Sequence, residues 1–279
     1  MELPSYFIVS SALISVCGTF ANSLSLSYFI KKDNESLGSR LLMLLNSLDL
    51  LVCVIATVTI LSFYVITNIN INRDVLHSLY QITVESTGFA TCVLSVTRTI
   101  YLCFPFYKIN GKAIVVATAS FIVYLVIREV IALTVSVTGE LFWYLDVYTY
   151  LIITSFTLII IVVVGSNIIS AMKLLKNNED ELGARRITEL NRKMTVTVLI
   201  LSVLFCSLNL VYLVLQVVVH VLFYLTLRRD IPANFWTVFE FAYLIAIPLN
   251  SALNPIVYFT RKRGMRVYVN ELWQKVTSC

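Results

Sequence analysis

The sequence predicts an all-α membrane protein: one domain over residues 1–279, a seven-transmembrane helix bundle with a short amphipathic eighth helix. Hydrophobic residues make up 58% of the 279-residue chain and charged residues only 13%, whereas soluble domains are roughly 45–50% apolar and about 25% charged. Long stretches of the chain carry no charge, and the lysines and arginines cluster between them. These observations argue against a soluble enzyme, a disordered region and a nucleic-acid-binding module.

Seven apolar segments define the predicted spans. Each is about as long as the roughly 20 residues that a helix needs to cross the hydrocarbon core. A segment in lipid must satisfy its own backbone hydrogen bonds, so segments of this length should be helices. Glu85 interrupts the third segment, and Arg128 and Glu129 interrupt the fourth. The predicted spans are 5–30, 40–66, 76–103, 112–137, 144–172, 193–223 and 236–260.

The basic residues predict the orientation. Lysines and arginines follow the first, third, fifth and seventh spans much more often than the others. Because basic loops stay in the cytoplasm, we expect an extracellular N-terminus and a cytoplasmic C-terminus.

Residues 261–276 are predicted to form an interfacial helix. Met265, Val269, Leu272 and Trp273 recur at helical spacing among basic residues, a pattern suited to an anionic membrane surface. The lipid bilayer is therefore an expected partner of the chain, and nucleic acid is not. Cys279 is a candidate for palmitoylation.

Several polar residues lie inside predicted spans, where they are costly and should face the bundle interior. Asn22 lies in the first span, Asp49 in the second, and Asn250 and Asn254 in the last. A buried Asp needs hydrogen-bonding partners or a cation. The alternative is a polar cluster that only holds the helices together.

The third span carries two charged residues on different faces. Tyr80 and Arg98 are about five helical turns apart and share one face, whereas Glu85 lies about 140° away from it. Glu85 should therefore point towards another neighbour, and we predict that it pairs with Arg128 of the fourth span. Such a pair can serve only to join helices, or one of its members can meet a polar or charged ligand.

Four short motifs, in order along the chain, resemble those of the rhodopsin-like (family A) G-protein-coupled receptors. Asn254-Pro255-Ile256-Val257-Tyr258 matches the family's NPxxY motif, and Leu45-Asn46-Ser47-Leu48-Asp49 resembles its second-helix motif. Gly18 and Asn22 resemble the Gly/Asn pair of the first helix. Pro105 resembles the proline of the second intracellular loop. The resemblance covers essentially the whole chain.

The resemblance implies a ligand-operated switch. An extracellular ligand shifts the balance between two packings of the bundle, the sixth helix swings outward, and a heterotrimeric G protein binds on the cytoplasmic side of the plasma membrane. Glu189 maps to the acid that pairs with the third-helix arginine, Arg98, in inactive receptors, and Tyr258 maps to the tyrosine that rotates towards this arginine. The implied coupling and switch residues are Arg98, Glu189, Asn254, Pro255 and Tyr258.

The same resemblance implies a buried polar pocket that holds a sodium ion beside Asp49, and it implies no other cofactor. The residues of this pocket are Asn22, Asp49, Thr87, Asn250 and Asn254.

Other positions depart from the family's pattern. Its Asp/Glu-Arg-Tyr triplet is Thr97-Arg98-Thr99 here, and its sixth-helix Cys-Trp-x-Pro reads Cys206-Ser207-Leu208-Asn209. Arg73 stands where the family has a Cys of its usual disulfide, so that disulfide should be absent. The chain thus resembles a divergent receptor of an invertebrate orphan or chemosensory type.

The sequence leaves the ligand unidentified. Tyr80 occupies the position at which amine receptors place an Asp, which argues against a classical biogenic amine. The short extracellular segments favour a small molecule or a short peptide. The candidate pocket residues are Tyr80, Gln81, Val84, Glu85, Arg128 and Glu240.

The sequence therefore predicts a G-protein-coupled receptor and not an enzyme, since it shows no residue pattern typical of catalysis or of a metal centre. Two alternatives stay open. A multi-span transporter or channel should show internal repeats, which this sequence lacks. A non-signalling, receptor-like interaction protein would fit the changed motifs around Arg98 and Ser207.

Overall fold

Helices make up nearly all of this computed structural model, which describes residues 5–32, 36–62, 73–104, 107, 109–138, 141–177, 185–225 and 242–277. No strand occurs in those ranges, so the all-α prediction is confirmed. A five-residue π-helical stretch, Ala242–Ala246, leads directly into the seventh α-helix. The α-helices are α1 (Ser5–Lys32), α2 (Leu37–Ile60), α3 (Arg73–Cys103), α4 (Gly111–Thr138), α5 (Leu141–Asn177), α6 (Arg185–Leu225), α7 (Ile247–Arg261) and α8 (Arg263–Thr277).

Five helices in the described part of the chain are long and apolar enough to cross a membrane: α1, α2, α4, α5 and α6. Their outer faces expose large hydrophobic side chains, among them Phe20, Val115 and Val203. An apolar surface of this extent suits lipid and not water. The chain therefore has the character of a multi-pass membrane protein.

The other two predicted spans differ from these five. The third corresponds to α3, which has 31 residues but carries many polar side chains. The last was predicted over 236–260, and residues 236–241 lie outside the described ranges.

Local chemistry explains where two of the helices begin and end. Ser36 caps α2, because its side-chain oxygen accepts a hydrogen bond from the Ser39 backbone N–H at 3.0 Å. Pro255 lies inside α7, and Lys262 adopts an extended backbone that ends this helix. The interfacial helix, predicted from residue 261, therefore begins at Arg263 after this break.

Some helices extend beyond the predicted spans. The helix α6 begins at Arg185, well before the span predicted from residue 193, and α5 continues to Asn177. The reason is physical: the charge-free runs mark the part of a helix that lies in lipid, whereas a helix can continue through charged residues into water.

The helix α3 lies in the middle of the bundle and packs against α2, α4, α5 and α6. Its polar residues face these neighbours. Ser95 bonds to Ser202 of α6 at 3.0 Å, and Thr99 bonds to Ser170 of α5 at 2.9 Å. The buried polar or charged residues of α3 are Ser78, Gln81, Glu85, Ser86, Thr87, Thr91, Ser95 and Thr97.

Candidate functional site

The structure brings charged side chains from two helices together in the bundle interior. Glu85 of α3 is fully buried, and Arg128 and Glu129 of α4 are almost fully buried. Arg128 forms ion pairs with both carboxylates, at 2.5 Å to Glu85 and 2.6 Å to Glu129. Tyr148 and Ser155 of α5 complete this group through hydrogen bonds, and we call these five residues the charge cluster.

Glu85 accepts four hydrogen bonds, which come from Arg128, Gln81 and Ser155. Its two carboxylate oxygens accept hydrogen bonds from Arg128 Nη1 at 2.9 Å and Nη2 at 2.5 Å. They also accept from Gln81 at 2.9 Å and from the Ser155 hydroxyl at 2.7 Å. The predicted pairing of Glu85 with Arg128 between the third and fourth helices is therefore confirmed.

Glu129 is a charged residue in the fourth span for which the sequence predicts no role. It accepts hydrogen bonds from Arg128 Nε at 3.1 Å and Nη2 at 2.6 Å. The Tyr148 hydroxyl lies 2.9 Å from one Glu129 oxygen and 2.8 Å from the other. The sequence feature that could have predicted the role of Glu129 is its position directly after Arg128 in an otherwise apolar span. Tyr148 gave no signal, since it lies among other aromatic and apolar residues.

The charge cluster reaches α6 through a short chain of side chains. Tyr212 donates a hydrogen bond to the side-chain oxygen of Gln81 at 3.3 Å. Gln216 donates to the Tyr212 hydroxyl at 2.7 Å. Four helices, α3 to α6, are thus joined by one hydrogen-bonded network. Two carboxylates against one guanidinium give the charge cluster a formal charge of −1.

Three tyrosines, Tyr80, Tyr212 and Tyr243, pack together beside this network, and we call them the aromatic group. Tyr80 donates to the backbone oxygen of Tyr243 at 3.1 Å, and the two rings meet edge-on at 4.7 Å between centroids. The Tyr243 hydroxyl lies 2.9 Å from His77 Nδ1. Tyr212 also contacts Tyr243, at 6.1 Å between ring centroids. Aromatic side chains of α3, α6 and the stretch before α7 therefore fill this region.

The predicted ligand-pocket residues mostly lie together in this region. Tyr80, Gln81 and Val84 are buried on α3, beside the aromatic group and the charge cluster. Glu240 lies outside the described residues. In this packing the side chains contact each other, so a ligand would have to separate them in order to bind there.

A second polar group lies around Asp49 and joins α1, α2 and α7. Asn254 of α7 donates a hydrogen bond to Asp49 Oδ2 at 2.7 Å. Asn22 of α1 donates to the Ser251 backbone oxygen at 3.1 Å, and Asn46 donates to the Asn22 backbone oxygen at 2.8 Å. All five of these residues are buried. Three of the motifs on which the resemblance depends therefore meet in one polar layer.

This layer contains several oxygens that accept no hydrogen bond within the described residues. They belong to Asp49, Asn22, Asn46, Asn250 and Asn254, and each is buried. Buried polar atoms normally have protein or water partners, and carboxylate and amide oxygens are the donor set of hard cations. The layer therefore fits a sodium ion or ordered water. Thr87 is buried too, but its hydroxyl donates to Thr83 of its own helix at 3.0 Å.

Arg98 lies near the C-terminal end of α3, where it contacts Gly38 of α2. A Cβ atom added to Gly38 would come within 2.0 Å of Arg98 Nη2. The Nε atom of Arg98 is buried with no hydrogen-bond partner in the described ranges. The expected partner, Glu189, lies within α6, but its side chain is outside the described part, so that pairing stays a prediction.

Tyr258, which the resemblance maps to the tyrosine that rotates towards Arg98, packs against α1 in this structure. It is fully buried on α7, and its ring packs edge-on against Phe29 of α1 at 5.5 Å. Its hydroxyl has no hydrogen-bond partner among the described residues. The structure therefore does not bring Tyr258 and Arg98 into hydrogen-bond contact.

The helix α8 follows α7 and packs on α1. Tyr268 of α8 contacts Tyr28, with 5.9 Å between ring centroids, while Trp273 is exposed. A helix is therefore present where it was predicted, with Met265 buried, whereas Trp273, which was predicted on the same apolar face, is not buried against the bundle. Cys279 lies outside the described residues.

Comparison of the sequence with models of known protein families and with curated protein sequences finds no match.

Proposed function

We propose that the protein is a rhodopsin-like G-protein-coupled receptor. It binds an extracellular small molecule or short peptide and activates a heterotrimeric G protein on the cytoplasmic side of the plasma membrane. The N-terminus is extracellular and the C-terminus is cytoplasmic, as the basic loops predict.

The hydrogen bond between Asn254 and Asp49 carries this proposal. The two residues come from two motifs that were recognised separately in the sequence, and they meet at 2.7 Å. Gly18, from a third motif, lies where an added Cβ would come within 2.6 Å of Cys53 and 2.9 Å of Ala252. A chance resemblance of short motifs gives no reason for these residues to contact each other, whereas a common fold does.

The proposal needs α3 and α7 to span the membrane together with the five more apolar helices. The 31 residues of α3 correspond to about 46 Å of helix, more than the thickness of the hydrocarbon core. Its polar side chains face the other helices, which is where polar residues are tolerated in a membrane bundle. These features support a seven-span arrangement.

The proposed switch links the aromatic group to the cytoplasmic end of α6. A ligand that separates Tyr80 from Tyr243 also disturbs Tyr212, since Tyr212 contacts Tyr243 and bonds to Gln81. Tyr212 lies on α6, so a ligand can favour one position of this helix over another. At the cytoplasmic end, Arg98 is the group that would meet the G protein once α6 has moved away.

In this account, the conformation of the bundle described above binds a sodium ion. Asp49, Asn250 and Asn254 would hold it through their buried oxygens. The ion would neutralise the buried carboxylate in this packing.

The test is a cell assay that couples the full chain to a panel of G proteins, with and without a library of small molecules and short peptides. We expect at least one G protein to respond, and we expect Arg98→Ala to abolish the response at equal surface expression. Thr134→Val is the matched control, because Thr134 is exposed on α4 and its hydroxyl bonds to Val130 of its own helix. A complete lack of response, with no change on Arg98→Ala, would contradict the proposal.

A further inference from the structure

We propose that Gly38 forms a recess on α2 that holds the Arg98 guanidinium in the resting packing. Gly38 is then a positioning residue for the switch arginine, because it acts through Arg98 and does not itself meet the G protein. This inference depends on the proposed function for its signalling consequence, but its structural part can be tested without any G protein.

The recess exists only because residue 38 has no side chain. A Cβ atom on Gly38 would lie 2.0 Å from Arg98 Nη2 and 3.0 Å from Arg98 Cζ. It would also lie 3.7 Å from Met194 Cε of α6, which is ordinary contact distance. Three helices therefore meet at this glycine, and the side chain that excludes a Cβ atom is the arginine.

Other glycines in the described ranges do not have this arrangement. A Cβ on Gly165 would meet nothing within 4 Å, and one on Gly111 would meet only Leu37 at 3.7 Å. At Gly18 and Gly264 the close atoms belong to uncharged groups, Cys53 and Tyr28 respectively. Among these glycines, Gly38 alone touches a cation.

The first turn of α2 cannot easily move away from the arginine. Ser36 accepts a hydrogen bond from the Ser39 N–H at 3.0 Å, and the two hydroxyl oxygens lie 2.9 Å apart. These bonds fix the turn that contains Gly38. A larger residue at position 38 must therefore displace Arg98 and not the backbone.

Among the described residues, Gly38 and Met194 meet Arg98 at this recess by shape, and neither carries a charge. The first turn of a helix carries a partial positive charge, which disfavours a nearby cation. In addition, the Arg98 Nε–H donates no hydrogen bond to any of the described residues. An arginine held in this way leaves readily when α6 and Met194 move and a G protein offers hydrogen-bond acceptors.

A side chain at position 38 should displace Arg98 from the recess before any ligand or G protein has bound. Gly→Ala within a helix normally stabilises it. Gly38→Ala should therefore raise the melting temperature once Arg98 has been replaced by Ala, because the clash is then absent. With Arg98 present the gain should be smaller or lost, because the guanidinium must leave its position.

The experiment is a double-mutant cycle of Gly38→Ala and Arg98→Ala, measured as thermal unfolding of the purified full chain. Gly165→Ala is the matched control and should have the same effect with and without Arg98. A less favourable effect of Gly38→Ala with Arg98 present than with Arg98→Ala supports the recess. An equal change of melting temperature in both backgrounds would overturn it.

Two further outcomes separate this inference from the proposed function. If Gly38→Ala does not yield folded protein, recovery of folding in the double variant supports the recess, and failure to recover contradicts it. In the cell assay, Gly38→Ala should raise ligand-independent signalling. If the effects of Gly38→Ala and Arg98→Ala on the melting temperature are coupled but the chain activates no G protein, the recess is supported and the switch role of Gly38 is overturned.

Discussion

Replacing Arg128 should lower the free energy of unfolding more than replacing Glu85, and both losses should be large. The perturbations are Glu85→Gln, Arg128→Met and the two together. In the native protein the two carboxylates and one guanidinium sum to −1, counted from the ion pairs of Arg128. Arg128→Met changes this sum to −2, Glu85→Gln changes it to 0, and the double variant keeps −1.

The structure sets the expected magnitudes. Arg128 donates two hydrogen bonds to Glu85 and two to Glu129, so Arg128→Met leaves both buried carboxylates without their cation. Removing one partner of a buried ion pair costs about 3–5 kcal/mol. Glu85→Gln should cost less, about 1–3 kcal/mol, because Arg128 still pairs with Glu129. The double variant should be more stable than the sum of the two losses predicts, by at least about 1 kcal/mol.

The assay is thermal unfolding of the purified chain, followed with a thiol-reactive dye. Cys53 is buried and not in a disulfide, so it reacts only when the bundle opens, whereas the exposed Cys17 would react in the folded state and is replaced by Ser in every variant. The control cycle combines Arg128→Met with Thr134→Val, whose exposed hydroxyl bonds to Val130 of its own helix, and it should be additive. Additive losses for Glu85→Gln and Arg128→Met, or a smaller loss for Arg128→Met than for Glu85→Gln, would refute the reasoning.

Two further predictions concern the polar layer and the orientation. Wild-type protein should unfold at a higher temperature in sodium chloride than in choline chloride of equal ionic strength. Sodium at ten times its Kd should raise the free energy of unfolding by about 1.4 kcal/mol. Asp49→Asn should remove this difference, and an unchanged difference would exclude Asp49 as a sodium ligand. An epitope tag before Met1 should be labelled by antibody on intact cells; labelling only after permeabilisation would reverse the proposed orientation.

The helical phase of α3 was enough to predict one contact of the charge cluster. It placed Glu85 away from the face of Arg98, and the structure shows Glu85 bonded to Arg128. The role of Glu129 could not be predicted in this way, because neighbouring residues on a helix point about 100° apart. Glu129 joins the cluster because the long Arg128 side chain turns back to reach it at 2.6 Å.

The resemblance to the receptor family implied that Asp49 and Asn254 belong to one pocket, and the structure places them in hydrogen-bond contact. The recess at Gly38 lay beyond the reach of the sequence. It depends on how closely α2 and α3 approach each other, and the periodicity of a single helix carries no information about that distance. The aromatic contact between Tyr80 and Tyr243 depends in the same way on the packing of separate helices.

Activation of a G protein by the purified chain tests the central claim most directly. The measurement is nucleotide exchange on purified heterotrimeric G proteins of several classes, catalysed by the chain in lipid nanodiscs. The account predicts faster exchange on at least one class with the wild-type chain, a further increase with Gly38→Ala, and no acceleration with Arg98→Ala. Exchange at the uncatalysed rate for every class and every variant, in the presence of the ligand library, would contradict it.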